Sequence, residues 1–369
     1  MASLTVLIGA PARAVPLSLT PTRSVWTINL ERPLAAPPAF ASERGFFPMR
    51  DDRLAAFDLL AGKLLWVVTE RVDTAPAIGE DLIFINSPDR LSARRHSDGS
   101  IVWDLPLAES LAVPLVWDNG WLVAASATGS VTAMRASDGM PIWRRDLDVR
   151  LSALPSLAAD RVYLGTEDGR LVALRIGTGV TVWERRIGGR ANSVLALEDR
   201  VYAGSKDKFF YSIVADTGRI DWRWRTGGEV IGIPAFDERR LYVVSLDNIL
   251  RALDRRTGSQ QWKRALPLRP VGGPIVAADS LLVPGLTSDV RAYRIRDGSP
   301  AGALPVPGEL VAPPHVVTPP APATPLVVLI GRDLAKGATL AAVTRSIDPV
   351  ISPIALLPNP VPAAPPAAR

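Results

Sequence analysis

Two histidines, His96 and His315, are the side chains best suited to acid–base catalysis or metal binding in this 369-residue chain. They are far apart in the sequence, and each lies at a predicted turn or at the start of a predicted strand. No histidine or carboxylate near either of them has the spacing of a metal-ligand pair. We therefore interpret both as isolated surface histidines. The sequence predicts no metal site and no catalytic residue.

Nucleophiles and cofactor-binding motifs are equally scarce. The chain has no cysteine, which excludes thiolate nucleophiles, disulfides, cysteine-ligated metals and lipidation of an N-terminal cysteine. The serines lack the G-x-S-x-G context of a nucleophile elbow, and no glycine-rich loop precedes a predicted helix. The sequence thus predicts no cofactor-binding residue and no enzymatic activity.

Basic residues give the chain a formal net charge of +5 and a sequence pI near 9.8. Their clusters follow tryptophans, in "WRR" at 143–145, "WERR" at 183–186, "WRWR" at 222–225 and "WKR" at 262–264. On an outermost strand such charges discourage pairing with another sheet edge. Because arginines recur in every repeat, we expect them around the whole circumference. A nucleic-acid groove with interleaved aromatic residues is therefore disfavoured.

The tryptophans themselves reveal an internal repeat with steps of 37 to 40 residues. In most copies a glycine stands four residues before the tryptophan, and one further step ends at Gly302. The repeat anchors are Trp26, Trp66, Trp103, Trp143, Trp183, Trp222 and Trp262, with Gly62, Gly99, Gly139, Gly179, Gly218, Gly258 and Gly298. This register predicts one structural unit per repeat.

Each repeat contains four short apolar or alternating runs bounded by turn residues, as in "PSLAADRVYLGTEDGRLVALRIGTGVTVW" at 155–183. Four antiparallel strands per repeat predict an all-β fold, an eight-bladed β-propeller of four-stranded blades. Residues 303–345 supply only three strands, so we expect residues 22–30 to add the fourth and close the ring.

The repeated glycine and tryptophan have a predicted structural role. The glycine would adopt a positive φ in a tight turn, and the tryptophan would be buried between blades with its indole N–H bonded to a carbonyl. Gly302, which replaces a tryptophan, is expected to tolerate substitution.

Three segments are predicted. Residues 1–20 form an N-terminal segment with "ARA" at 12–14, a possible signal-peptide remnant, residues 21–345 the propeller, and residues 346–369 a flexible tail rich in proline and alanine. No apolar run reaches the length of a membrane span. We expect a monomeric ring.

The turn and tryptophan pattern resembles the pyrroloquinoline-quinone-type (PQQ-like) propeller repeat, most fully in "ALDRRTGSQQW" at 252–262 and closely in "AFDLLAGKLLW" at 56–66. In length and blade number the chain resembles the BamB family of outer-membrane assembly proteins. This resemblance implies a periplasmic scaffold that binds a protein partner such as an outer-membrane assembly component. The chain departs from that family in lacking a cysteine to acylate.

Two functions stay open at this point. The first is a non-catalytic scaffold whose partner docks on the connections between blades, with 146–155 and 225–234 as central examples and the exposed charges Arg150 and Glu229 as candidate contacts. The alternative is a quinoprotein-like enzyme or sensor with PQQ or another small ligand in the central funnel. Known quinoprotein dehydrogenases are longer, hold the quinone with calcium beside an aspartate, and carry insertions that this chain lacks.

Overall fold

The chain forms eight antiparallel sheets arranged as the blades of a propeller. A computed structural model describes residues 18–319, 324–333 and 337–346, in which every helix or strand is a β-strand. Within blades 1 to 7 the strands follow one another in chain order. The first strands of neighbouring blades contact each other, which places them around the centre of the ring. The predicted all-β, eight-bladed propeller is confirmed.

The strand β1 (Thr22–Asn29) does not belong to blade 1, although it directly precedes that blade in the chain. Blades 1 to 4 contain β2 (Ala39–Ala41), β3 (Arg44–Met49), β4 (Arg53–Asp58), β5 (Lys63–Thr69); β6 (Ala77–Ile78), β7 (Leu82–Asn86), β8 (Arg90–Arg95), β9 (Ile101–Pro106); β10 (Val116–Asp118), β11 (Trp121–Ala125), β12 (Ser130–Arg135), β13 (Pro141–Asp146); β14 (Ser156–Ala158), β15 (Arg161–Gly165), β16 (Arg170–Arg175) and β17 (Thr181–Arg186).

Blades 5 to 7 continue the pattern, and blade 8 breaks its innermost strand into two short pieces. These blades contain β18 (Ala191–Leu197), β19 (Arg200–Ser205), β20 (Phe209–Val214), β21 (Ile220–Arg225); β22 (Val230–Phe236), β23 (Arg240–Ser245), β24 (Ile249–Asp254), β25 (Gln260–Ala265); β26 (Ile275–Ala277), β27 (Ser280–Val283), β28 (Asp289–Arg294), β29 (Pro300–Pro305); β30 (Glu309–Leu310), β31 (His315–Val317), β32 (Leu326–Asp333) and β33 (Gly337–Arg345).

The ring closes through β1, which pairs antiparallel with β33 from Thr22 opposite Arg345 to Asn29 opposite Thr339. The first described strand is therefore the outermost strand of blade 8, as predicted from the missing fourth strand. The predicted signal-peptide remnant lies outside the described residues except for residues 18–20, and so does the predicted tail beyond Ser346.

The repeated tryptophan joins each blade to the next. The Nε1 of Trp183 donates a hydrogen bond of 2.7 Å to the Ala215 carbonyl of blade 5. Gly218 follows in the same turn with φ +68°, and a Cβ there would lie 2.6 Å from Cδ2 of Trp183. Only glycine allows this backbone conformation and this close approach. The predicted roles of both residues are confirmed.

All seven tryptophans follow this plan. Their indole N–H groups bond the carbonyls of Leu59, His96, Ala136, Ile176, Ala215, Arg255 and Ile295, in the order Trp26, Trp66, Trp103, Trp143, Trp183, Trp222 and Trp262. The hydrophobic clusters likewise draw on neighbouring blades, as where Val123 and Leu164 share one cluster. Packing between blades, repeated around the ring, is thus the main source of stability.

The interface between blades 7 and 8 differs, because blade 8 has no turn between its third and fourth strands. Its fourth strand is β1, so the segment that precedes β1 fills the space instead. Leu19 is 1% exposed and packs among Leu304 and Val306. The Thr20 hydroxyl donates a hydrogen bond of 2.5 Å to the Ala301 carbonyl. Residues from the start of the described chain therefore replace the missing tryptophan.

Gly302 was expected to be tolerant in comparison with the tryptophans, and this interface shows that it is nonetheless constrained. Gly302 has φ +119°, a conformation that residues with a side chain rarely adopt. A Cβ there would also lie 3.0 Å from Cγ2 of Thr20. The position is constrained because Thr20 lies against it.

The arginines after the tryptophans occupy the outermost strands, as predicted, but they have two different environments. Arg186 is exposed, whereas Arg185 donates from Nε to the Gly218 carbonyl of the next blade over 2.6 Å. Arg264 makes the same bond to Gly298 over 2.7 Å. The four clusters lie only on β13, β17, β21 and β25. Single arginines nevertheless occur in described strands of all eight blades, from Arg44 in blade 1 to Arg332 in blade 8, so the expectation that arginines surround the ring is confirmed.

Candidate partner-docking rim

The antiparallel blades place two kinds of connection on opposite rims of the ring. One rim, called the long-loop rim, carries the connections between blades and the turns between second and third strands. It comprises residues 30–38, 50–52, 70–76, 87–89, 107–115, 126–129, 147–155, 166–169, 187–190, 206–208, 226–229, 246–248, 266–274, 284–288 and 306–308. The opposite one, called the tight-turn rim, carries the turns between first and second strands and between third and fourth strands.

Each connection on the long-loop rim is fixed by backbone hydrogen bonds to two blades. Leu147 N donates to the Gly129 carbonyl of its own blade over 3.1 Å, and Glu167 N of the next blade donates to the Arg150 carbonyl over 3.0 Å. Glu229 occupies the equivalent position, with Leu246 N bonded to its carbonyl over 2.8 Å. The rim therefore presents its side chains from backbone that is held at both ends.

Arg150 lies where the sequence predicted, in the connection 147–155. Its side chain is exposed and makes no ion pair with a described residue. Arg190, at the equivalent position of the next connection, is instead paired with Glu167 over 3.0 Å. Arg269, at the equivalent position before blade 7, is exposed and unpaired in the described structure, as Arg150 is. Arg150 and Arg269 are thus two of the cations on this rim that face solvent without an ion pair to a described residue.

The prediction for Glu229 is corrected in two respects. Its side chain is half-buried, not exposed, and the predicted connection 225–234 is mostly strand. β21 ends at Arg225 and β22 begins at Val230, which leaves residues 226–229 between them. The strand extends past the expected boundary because the pairing of β22 shifts between Ile231 and Ala235, around Gly232 with φ +66°. Arg150 and Glu229 lie two blades apart and are not brought together.

Apolar side chains on this rim and on the adjoining strand β22 were not predicted as candidate contacts. Ile233 is 47% exposed, Val271 51% and Leu286 67%. A Cβ on Gly273 would lie 2.0 Å from the Ile233 carbonyl oxygen, so the backbone of connection 266–274 is in direct contact with that of β22. We call Ile233, Val271 and Leu286 the rim cluster. The only sequence signal was their position beside proline and glycine in the connections, which by itself does not indicate exposure.

A cavity of about 210 Å³ opens between blades 2 and 3 on the same rim. Its lining is mainly apolar, with Leu105, Leu111 and Met134, and it exists because Ala124 and Ser130 stand where the next interface has Leu164 and Arg170. Its size would allow it to receive one apolar side chain or a small apolar molecule.

Glu109 and Arg144 form an ion pair at this cavity, with 2.5 Å between Arg144 Nη2 and Glu109 Oε1. Hydrogen bonds from Thr128, Arg144 and Ser126, in that order of effect, lower the pKa of Glu109 to about 2. The carboxylate is therefore ionised at neutral pH and cannot act as a proton donor there.

Both histidines are more enclosed than predicted. His96 is 5% exposed, and its ring centroid lies 5.1 Å from that of Phe46 in the preceding blade. His315 stacks on Phe40 with 4.0 Å between ring centroids. Burial lowers the pKa of each imidazole and favours the neutral form. The interpretation as surface histidines is wrong because a neighbouring blade covers each ring.

The described residues contain no group of three histidine, aspartate or glutamate side chains placed to hold a metal ion. The same part of the chain contains no helix that could cross a membrane. The chemistry that the geometry does offer is the binding of apolar and anionic groups at the long-loop rim.

Comparison with known proteins gives one family match. The family model described as the outer membrane protein assembly factor BamB matches residues 4–115, 97–196 and 187–310. No curated protein sequence matches the chain.

Solved structures share the fold at low sequence identity. BamB from Moraxella catarrhalis aligns with a TM-score of 0.70 and 18% identity, over 88% of this chain and 99% of that one. The quinohemoprotein alcohol dehydrogenase from Comamonas testosteroni aligns with a TM-score of 0.68 and 14% identity, over 88% and 76%. A europium-containing methanol dehydrogenase aligns with a TM-score of 0.70 and 12% identity, over 88% and 93%. At these identities the likeness is one of fold.

Proposed function

The chain belongs to the family of the outer membrane protein assembly factor BamB, and on that premise we propose that it is a non-catalytic scaffold of the cell envelope. In this proposal a protein partner docks on the long-loop rim. The partner is a component of outer-membrane assembly, and the ring works in the periplasm.

The observation that carries the proposal is the composition of the long-loop rim. Its rim cluster exposes Ile233, Val271 and Leu286, and Arg150 and Arg269 have no ion-pair partner among the described residues. Exposed apolar side chains and arginine are enriched where proteins bind one another. Because the connections are held at both ends, a partner would meet a surface that needs little reordering, which favours affinity.

The absence of catalysis in this proposal rests on the residues that are present. The chain has no cysteine, and its two histidines are enclosed between blades and not presented in an open pocket. A calcium-held quinone would need several oxygen ligands close together. The described carboxylates and histidines form no such group, so the residues do not fit that cofactor.

Affinity capture from the native host tests the docking surface. The tagged full chain should be found in the periplasmic fraction and should retain an envelope protein. The variant Arg150→Glu/Arg269→Glu should no longer capture that protein, because the substitutions reverse two positive charges on the proposed docking surface. The matched control Arg95→Glu/Arg256→Glu changes two exposed, unpaired arginines on the tight-turn rim and should retain it. Equal capture by both variants, or a full-length protein confined to the cytosol, would contradict the proposal.

Absorbance spectroscopy tests the absence of a quinone cofactor. The purified protein is incubated with pyrroloquinoline quinone and calcium and then separated from free quinone. We expect no stoichiometric chromophore. A bound chromophore at one per chain would favour the quinoprotein alternative.

A further inference from the structure

A belt of exposed apolar residues follows the outer wall of the ring near the tight-turn rim. It lies at the beginning of the outermost strands of blades 1 to 4, just before each repeated tryptophan. Its members are between 37% and 58% exposed. They are Leu64, Leu65, Ile101, Val102, Met140, Ile142 and Val180, and we call them the apolar belt.

The repeat does not require this belt. In blades 5 to 7 the positions one to three residues before the tryptophan, or before Gly302, are mostly polar. They are Arg219, Ile220, Asp221, Ser259, Gln260, Gln261, Ser299, Pro300 and Ala301. The apolar side chains are therefore a property of one side of the wall.

An exposed apolar belt of this kind promotes aggregation unless another segment or molecule covers it. Outermost strands carry unpaired N–H and C=O groups, and apolar side chains beside them promote association with other chains. On β13 and β17 a cationic cluster protects the other half of the strand, closer to the long-loop rim, whereas β5 and β9 have no such cluster. Only Lys63 interrupts the apolar positions in blade 1.

The described chain ends beside this belt. Arg345 pairs with Thr22 at the beginning of β1, and Ser346 N donates a hydrogen bond of 2.7 Å to the Pro21 carbonyl. β1 is the outermost strand of blade 8, and Leu30, which directly follows it, packs in one cluster with Phe47 of blade 1. Ser346, the last described residue, thus lies on the outer wall, at the height of the belt and one blade before its first members.

The composition of residues 347–369 matches that surface. The segment "IDPVISPIALLPNPVPAAPPAAR" has isoleucine, leucine and valine between prolines, and Asp348 and Arg369 are its only charged residues. Proline lacks the N–H that sheet pairing needs, so such a segment packs through its side chains in an extended polyproline conformation. We propose that residues 347–369 lie along the apolar belt and cover it on β5, β9 and β13.

The length of the segment agrees with this path. At about 3.1 Å per residue its 23 residues span about 70 Å. A compact chain of this size has a radius of gyration of about 20 Å, which makes one blade step along the wall roughly 20 Å. The segment therefore covers the roughly 60 Å from β1 to β13.

Disulfide trapping tests the path, because the chain has no cysteine of its own. Asn359→Cys lies thirteen residues beyond Ser346, about 40 Å or two blade steps along an extended chain. It is combined with Ser100→Cys just before β9, or with Ser259→Cys just before β25. Both serines are exposed, and both stand three residues before the repeated tryptophan. They lie two blades from β1 in opposite directions, so each is the control for the other.

The full-length variant with Ser100→Cys should form its disulfide at least about tenfold faster than the variant with Ser259→Cys, because docking raises the effective concentration of the thiols. Equal rates would overturn the proposal, and so would a faster reaction at Ser259→Cys. Sedimentation of the native chain measures its oligomeric state and tests whether a second copy of the chain covers the apolar belt instead. A dimer that dissociates when Ile101→Asn is introduced, together with equal disulfide rates, would assign the belt to a second copy.

Discussion

The two rims of the ring are made by the same repeat but differ in what constrains them. On the tight-turn rim a glycine with positive φ lies against the tryptophan of the preceding blade in seven turns. On the long-loop rim the connections range from the short 187–190 and 226–229 to the long 107–115 and 147–155. Where packing between blades fixes a residue, the sequence repeats. Where it does not, the sequence varies and can acquire a binding surface.

The largest difference between the rims should appear on removal of a tryptophan. Trp183→Ala should lower the free energy of unfolding by about 3–5 kcal/mol, because it leaves a cavity between blades 4 and 5. Trp183→Phe keeps most of the apolar contact and loses only the bond to Ala215, so its loss should be smaller. Denaturant unfolding measures both. An unchanged midpoint for the alanine variant would show that the interfaces do not depend on the tryptophan.

A glycine substitution on the tight-turn rim should have the next largest effect. Gly179→Ala should cost roughly 2–4 kcal/mol, since it combines φ +69° with a Cβ 2.7 Å from Trp143. Gly120→Ala has a positive φ but open space around its Cβ, and Gly177→Ala has neither constraint. Thermal unfolding should therefore rank the three variants in that order. An equal loss for Gly179 and Gly120 would mean that the contact with the indole contributes nothing.

Two adjacent arginines allow a finer comparison on one strand. Arg185 bonds the carbonyl of Gly218, whereas the Arg186 side chain is 71% exposed. Arg185→Ala should cost about 1 kcal/mol and Arg186→Ala close to nothing. Calorimetry of the two variants measures the difference. Equal melting temperatures would mean that Arg185 acts only as an exposed edge charge.

The smallest effect on stability is expected on the long-loop rim. Arg150→Glu/Arg269→Glu should change the free energy of unfolding by less than about 0.5 kcal/mol, because neither side chain makes an ion pair with a described residue. Circular dichroism during heating measures this. A much larger loss would place these arginines in the structural framework and would weaken their assignment to docking.

The sequence predicts the tight-turn rim far better than the long-loop rim, for a physical reason. The spacing of Trp183 and Gly218 is set by local geometry that recurs in each repeat. The exposure of Glu229 depends on a shift in the pairing of β22 with β23 near Gly232, and no local sequence pattern indicates that shift. The constraint on Gly302 comes from contact with Thr20. Thr20 also donates a hydrogen bond to Ala301, which lies 281 residues later in the chain.

The same reason explains the histidines and the candidate site. The ring of His96 is covered by Phe46 of another blade, so its position in a turn wrongly predicted exposure. The rim cluster forms because connection 266–274 meets β22 at Gly273 and Ile233. Arg150 could be predicted because it lies in a long connection with no neighbour to cover it. Contacts between distant repeats are what the sequence alone did not provide.

Hydrogen–deuterium exchange of the captured assembly tests the docking proposal most directly. Peptides that cover 147–155 and 266–274 should exchange more slowly in the assembly than in the free chain, because the partner covers the long-loop rim. Peptides that cover the tight turns 136–140 and 255–259 should exchange equally in both states. Protection confined to the tight-turn rim, with unchanged exchange at 147–155 and 266–274, would contradict the account.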